Sequence, residues 1–320
     1  MRKALILGAG GFIGSHLAVR LKREGFYVRG VDIHEPEWSE SEADEFVMGD
    51  LRDRGFCQGV LEQGYDRVYQ LAADMGGAGY IFTGDHDASI MANSAQINLN
   101  VLSRAREVAP GLLFYSSSAC VYPAPKEYSD DVYAESSAYP AEPDSEYGWE
   151  KLFGERLYLA HARNYGLNVR IARLHNVYGP NAAWDGGKEK AIAAICRKVV
   201  MAKDGDEIQI WGDGRQTRSF LYIDECLEGI ERLVSSDYSA PINIGSSEMV
   251  TIQDLTEMII GISGKALTIR HIDGPQGVSI RTSNNELISQ ELGWAPQYLL
   301  KSGVQQTYEW IASKIERAKA

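Results

Sequence analysis

A glycine-rich turn set between an apolar run and a helical pattern constrains this chain more than any other feature. Residues 3–7 read as a short buried strand, Gly8-Ala9-Gly10-Gly11-Phe12-Ile13-Gly14 follows, and residues 12–22 carry apolar side chains at helical spacing. A strand that turns on glycines straight into a helix lets backbone approach a pyrophosphate, which the helix amino terminus attracts. Gly8, Gly11, Phe12, Ile13 and Gly14 are therefore the candidate phosphate-binding residues. A tight turn would use glycines too, and the residue that favours a nucleotide is Asp32. It follows a second strand-like run at 27–31, about 20 residues on, where a carboxylate accepts hydrogen bonds from the adenosine ribose hydroxyls. That carboxylate would repel a 2′-phosphate, so the cofactor expected is NAD rather than NADP. Asp50, after a third run at 45–48, is a candidate adenine contact or a turn residue.

Further strand-like runs at 67–71, 112–115 and 169–174 alternate with helical patterns at 89–108 and 146–164. This rhythm implies an α/β fold, a doubly wound Rossmann sheet of parallel strands, with ligands at the strands' carboxyl ends. Beyond residue 175 the rhythm loosens around turn-rich segments at 178–188 and 211–216, and residues 303–319 read as a closing helix. The expected organisation is an NAD-binding Rossmann domain over residues 1–175 and a smaller mixed α/β substrate lobe over 176–320. Part of that second segment is allowed to return to the sheet.

Bulk properties narrow the function classes. A net charge of −12 over 320 residues argues against a nucleic-acid partner, which needs a positive face. No apolar run reaches the roughly 18 residues of a membrane span, and glycines interrupt the apolar start where a signal peptide would continue. Cys57, Cys120, Cys196 and Cys226 are widely spaced, with no Cys-x-x-Cys pair. That pattern fits neither a disulfide framework nor a metal site and suggests a reducing cytoplasm.

The candidate chemistry lies in the middle of the chain. Tyr147 and Lys151 are four residues apart in a helical stretch and so share a face. An ammonium beside a phenol favours the phenolate, which would make Tyr147 an acid/base near neutral pH. Among 17 tyrosines roughly one such pair arises by chance, and Tyr122 with Lys126 is one, but Pro123 and Pro125 exclude a helix there. Ser118, in a serine run after the fifth strand, could hydrogen-bond a substrate oxygen beside Tyr147 or simply make a turn.

With these features the chain resembles the extended short-chain dehydrogenase/reductases, in their branch that modifies nucleotide sugars. Asn176-Val177-Tyr178-Gly179-Pro180 and Arg218-Ser219-Phe220-Leu221-Tyr222-Ile223-Asp224 are similar to that branch's substrate-lobe motifs. The resemblance implies hydride transfer between the sugar C4 and a nicotinamide, with the Tyr-Lys pair handling the hydroxyl proton. Four longer stretches narrow it to epimerases acting at C3 and C5 of GDP-mannose. They are Ala72 to Gly77, Ser118-Ala119-Cys120, Gly186 to Ala191 and Trp211 to Arg218.

This closer resemblance implies that Cys120 and Lys190 are the epimerisation acid/base pair. Oxidising C4 to a ketone acidifies the protons at C3 and C5, and a base and an acid on opposite ring faces then invert either centre. A neighbouring Lys190 ammonium would favour the Cys120 thiolate, and desolvation would ready Lys190 to exchange its own proton. The resemblance further implies substrate contacts from Gly76, Ala119, Asn176, Glu189, Ala191, Gln216 and Thr217, and positive charge for the diphosphate from Lys198, Arg218 and Arg281. It also implies a homodimer through the helices at 89–108 and 146–164. Two departures are visible: Ser279 stands where plant relatives carry a basic residue, and the chain ends sooner than theirs, so no contact from their tail is expected. GDP-L-fucose synthase-like enzymes are the nearest rival, but they use NADPH and a histidine acid, against Asp32 and Lys190 here. Other nucleotide-sugar epimerases have no use for Cys120 and Lys190, and a non-catalytic NAD-binding sensor would have no use for the Tyr-Lys pair.

Overall fold

Strand and helix alternate as the sequence pattern predicts. The computed structural model describes residues 1–124, 133–274 and 279–319. Its first half runs β1 (Lys3–Leu7), α1 (Phe12–Arg23), β2 (Tyr27–Asp32), β3 (Glu45–Met48), α2 (Arg54–Val60) and β4 (Arg67–Gln70). The short α3 (Ala78–Ile81), α4 (Asp87–Val108), β5 (Leu113–Ser118), α5 (Glu146–Tyr165) and β6 (Val169–Leu174) follow. The second half opens with β7 (Val177–Tyr178), α6 (Ala191–Met201), β8 (Glu207–Trp211), β9 (Thr217–Ser219), β10 (Leu221–Tyr222) and α7 (Ile223–Val234). It closes with β11 (Ile242–Ile244), β12 (Met249–Thr251), α8 (Ile252–Ser263), β13 (Thr268–Ile272), β14 (Ile280–Arg281), α9 (Glu286–Leu292) and α10 (Leu300–Lys319).

Seven strands form one sheet in the order β11-β6-β5-β4-β1-β2-β3, every pairing parallel. The chain's direction of travel across the sheet reverses between β1 and β4, and the crevice this opens at the strands' carboxyl ends is where the Gly8–Gly14 turn sits. Both faces are covered, so alternate residues of β1 feed two cores. Ala4 and Ile6 pack with Leu17, Leu21, Ile230 and Leu233, while Leu5 and Leu7 pack with Val68, Leu102, Tyr115 and Tyr158. Burial of each such leucine or isoleucine contributes about 1.5–3 kcal/mol.

Three details lie beyond the sequence pattern. First, β5 does not stop at residue 115, because fully buried β6 offers ladder partners as far as Ser118, paired with Leu174. The serines continue the strand, and Ser117 satisfies its hydroxyl by donating to Glu155 at 2.6 Å. Second, the chain leaves the sheet after β6 and comes back, with β11 pairing on β6. Third, Trp38, in the segment after β2, reaches the other half of the chain: its ring lies 5.2 Å from Trp184 and 6.5 Å from Trp310 of α10. Lys314 donates to the Trp38 carbonyl at 3.0 Å. Pro125, Lys126, Gly277 and Val278 lie outside the described residues. No described helix is long and apolar enough to cross a membrane.

Candidate active site

A cleft of about 1130 Å³ runs from the Gly8–Gly14 turn, past the carboxyl end of β5, to β9 and β14. At its first end the backbone is closed in on itself. A Cβ on Gly10 would lie 2.2 Å from the His34 carbonyl oxygen, and one on Gly14 2.1 Å from that of Gly8. The α1 cap, Gly11, has no side chain to occupy the first helical N–H groups, which leaves them for an anionic ligand. Asp32 is held by N–H groups of Gly10 at 2.9 Å and Ile33 at 2.7 Å, so its carboxylate is fixed where a ribose hydroxyl would meet it. Asp50 also lines the cleft, but Arg52 pairs with its carboxylate at 2.7 Å, so any adenine contact there is made by the ion pair.

The middle of the cleft is built where β5 ends against α5. Ser118 caps a single 3-10 turn, Ala119–Val121, by accepting the Cys120 N–H at 3.2 Å. Its hydroxyl is also the hydrogen-bonding neighbour of the Tyr147 phenol. The turn lies hard against the start of α5, because a Cβ on Gly148 would sit 2.0 Å from the Cys120 carbonyl oxygen. Ser145 caps α5 by accepting the Gly148 N–H, and the helix then presents Tyr147 and Lys151 on one face.

The electrostatics differ from the sequence expectation. The ammonium expected to favour a Tyr147 phenolate donates to the Ser116 carbonyl at 2.9 Å, with its nitrogen 5.6 Å from the phenol ring centre. Burial, with the nearby Cys120 and Glu150, pushes the Tyr147 phenol upward, while the Ser118 hydroxyl draws it down. Burial also lowers the Lys151 ammonium, opposed by Glu150.

Lys190 enters from the second half as the residue capping α6. Its side chain opens onto the cleft, yet protein encloses that part of the cleft, and the resulting desolvation lowers its ammonium. Glu189, expected to touch substrate, lines the cleft and also braces this segment, accepting from Arg197 at 2.8 Å and from the Gly187 N–H at 2.7 Å. Across the cleft, the Gly77 N–H donates to the Lys188 carbonyl at 3.1 Å, tying the segment before α3 to the one that carries Lys190.

Arg281 departs most from expectation. Rather than standing open to a diphosphate, its guanidinium donates to Cys120 Sγ at 3.0 Å and pairs with the buried carboxylate of Asp144. Lys198 donates to the Gln209 carbonyl at 2.7 Å, and burial with neighbouring Arg197 lowers its ammonium. Burial draws Arg218 down to about 10. Gly76, Ala119, Ala191 and Gln216 line the cleft as expected, as does Asn176, whose amide is spent on the Ser219 carbonyl at 2.9 Å. Thr217 does not line it; its hydroxyl turns to the Arg215 carbonyl. Asp144 escaped the sequence reading, although its place just before a serine cap was a visible signal.

Comparison with known proteins agrees with this geometry. The model of the NAD dependent epimerase/dehydratase family matches residues 4–245. The chain belongs to that family. It is 48% identical, over 99% of its own length and 84% of the relative's, to a GDP-mannose 3,5-epimerase of Arabidopsis thaliana. A GDP-mannose 3,5-epimerase 1 of Oryza sativa subsp. japonica is 47% identical over 98% of the chain and 82% of the relative. Among solved structures, a UDP-glucuronic acid 4-epimerase from Bacillus cereus, in complex with UDP-glucuronic acid and NAD, superposes with a TM-score of 0.81 at 27% identity, covering 98% of this chain and 99% of that one. The closed glycine cradle, the uncapped helix start and the anchored Asp32 carboxylate fit NAD.

Proposed function

We propose that the chain is a GDP-mannose 3,5-epimerase, converting GDP-D-mannose to GDP-L-galactose, with GDP-L-gulose as the product of inversion at C5 alone. The observation that carries this reading is the meeting, in one cleft, of Cys120 and Lys190 beside Tyr147 and Ser118. Simple 4-epimerisation has no use for a thiol and a desolvated ammonium there, and the similarity to plant epimerases of this specificity points the same way.

NAD, when bound, supplies the hydride acceptor and donor for C4. Ser118 and Tyr147 hold the C4 oxygen; Tyr147 would take the C4 hydroxyl proton as a phenolate, a form favoured by the positive charges of Lys151 and of bound NAD, and the resulting phenol returns that proton when the ketone becomes an alcohol again. While C4 is a ketone, the Cys120 thiolate removes the proton from C5 or C3, and the electron pair delocalises onto the C4 oxygen as an enolate. Lys190 then protonates that carbon from the opposite face, which inverts it. Desolvation favours this role, because an ammonium with a lowered pKa gives up its proton more readily. Lys198 and Arg218 supply positive charge for the diphosphate in an otherwise acidic protein.

The rest of the reading concerns the chain's setting. Residues 1–175 hold the cofactor and carry Ser118, Cys120 and Tyr147, while 176–320, apart from the segment that rejoins the sheet, serve the sugar nucleotide. Met91 and Leu99 on α4, with Trp149 and Phe153 on α5, leave apolar side chains exposed on adjacent helices, which supports a homodimer through them. Four cysteines without a disulfide suit a reducing cytoplasm.

The decisive experiment incubates the protein with GDP-mannose in deuterated water and follows C3 and C5 by NMR. Deuterium is expected at both carbons in wild type and at neither in Cys120→Ser. A wild-type protein that labels neither carbon ends the epimerase reading.

A further inference from the structure

Cys120 is surrounded by cations that reach it from four elements: Lys151 on α5, Lys190 at the start of α6, Arg218 on β9 and Arg281 on β14. Arg281 donates an N–H to the sulfur at 3.0 Å. Its other terminal nitrogen pairs with Asp144, whose side chain is 1% exposed. Ser145, next in the chain, donates its hydroxyl to Asp144 at 2.8 Å and caps α5. One turn therefore orients both the arginine and the helix that carries Tyr147 and Lys151.

We propose that Asp144 is a positioning residue, holding Arg281 in place so that the guanidinium stabilises the Cys120 thiolate that abstracts the ring proton. The proposal rests on the epimerase reading for the role of that proton transfer, but its geometry does not depend on the substrate. A guanidinium keeps its charge at any working pH, and its planar fork can serve a carboxylate with one nitrogen and a sulfur with the other. Asp144 holds one arm of that fork and so sets which way the other arm points.

Removing Asp144 separates two outcomes by sign. If Arg281 stayed in place, losing a nearby negative charge would favour the thiolate and speed its reactions. If Asp144 positions the arginine, Arg281 turns away and the thiolate is lost.

The test uses NAD-loaded protein without nucleotide sugar, treated with iodoacetamide, and reads the mass of the Cys120 peptide. Cys57, Cys196 and Cys226 are wholly buried and serve as internal controls. Asp144→Asn is expected to slow Cys120 alkylation about tenfold at neutral pH and to match wild type at pH ~10, above the range in which thiols ordinarily ionise. Arg281→Lys, which keeps the charge but not the fork, is expected to behave in the same way, and it decides the question if Asp144→Asn does not fold. Unchanged or faster alkylation at neutral pH, or an equal loss at both pH values, overturns the proposal. Alkylation needs no sugar, so ring deuteration tests the epimerase reading independently.

Discussion

Gly77→Ala adds one methyl group and should cost the protein most of its activity. Gly77 has φ −75° and ψ −175°, a backbone conformation open to any residue, so the substitution brings no torsional strain. Its Cβ, however, would lie 2.4 Å from the Glu189 carbonyl oxygen and 3.3 Å from that of Lys188. Both are backbone atoms that no rotamer change can clear. To restore ordinary contact the Glu189 carbonyl must retreat by about 1 Å, and Lys190 is the next residue. Misplacing a reacting group by that distance lowers rate about 100-fold, or roughly 2.7 kcal/mol of transition-state stabilisation. The assay is the initial rate of deuterium entry at C5 under saturating GDP-mannose, with bound NAD measured on the same sample. NAD content should stay at the wild-type level, because the glycine cradle lies at the other end of the cleft. Deuteration within a few-fold of wild type would refute the reasoning, since it would mean that the segment before α3 absorbs the clash and Lys190 does not move.

Three further outcomes are expected. His175 is wholly buried, and desolvation depresses it from an ordinary value near 6.5 to about 4. The unfolded chain therefore binds a proton in that window while the native state does not, so stability is full above pH ~6.5 and falls on acidification towards pH ~4, by about 2 kcal/mol at pH 5. Urea unfolding at pH 7.5 and 5 measures this, and His175→Gln should lessen the difference; an equal difference in both proteins counts against it. Arg173→Met leaves the buried Glu155 carboxylate without the partner it meets at 2.8 Å, and should destabilise by about 3–5 kcal/mol, lowering Tm by roughly 4–7 °C in calorimetry. Gly261→Ala, within α8 and with nothing within 4 Å of the new methyl beyond its own stretch of helix, should stabilise by about 0.5–1 kcal/mol in the same experiment.

What could be read from the sequence, and what could not, divides by range of interaction. The Gly8–Gly14 turn, Asp32 and the Tyr147–Lys151 pair are each local, and their spacing carries their geometry. The length of β5 was not local, because its last three residues are fixed by a partner strand more than fifty positions on. Nor was the neighbour of Cys120. Family resemblance pointed to Lys190, while an N–H that meets the sulfur belongs to Arg281, 161 residues away. Asp144 and Gly77 were hidden for the same reason, since one acts on β14 and the other on the segment before α6. A carboxylate before a cap and a glycine before a short helix look ordinary until the fold brings their counterparts beside them.

The return of β11 to the edge of the sheet limits how this protein can be taken apart. A cut after residue 175 would strip β6 of its outer neighbour and remove α7 from the core beneath β1. The remaining fragment would end in an open strand whose six residues are all buried in the intact protein, the kind of unpaired edge that pairs with other chains. A sugar-binding half from another enzyme therefore cannot be exchanged at that point like a cassette. A chimaera that keeps residues 223–244 and replaces the chain around them would preserve the sheet, so new specificities are better sought by grafting loops at the cleft than by swapping halves.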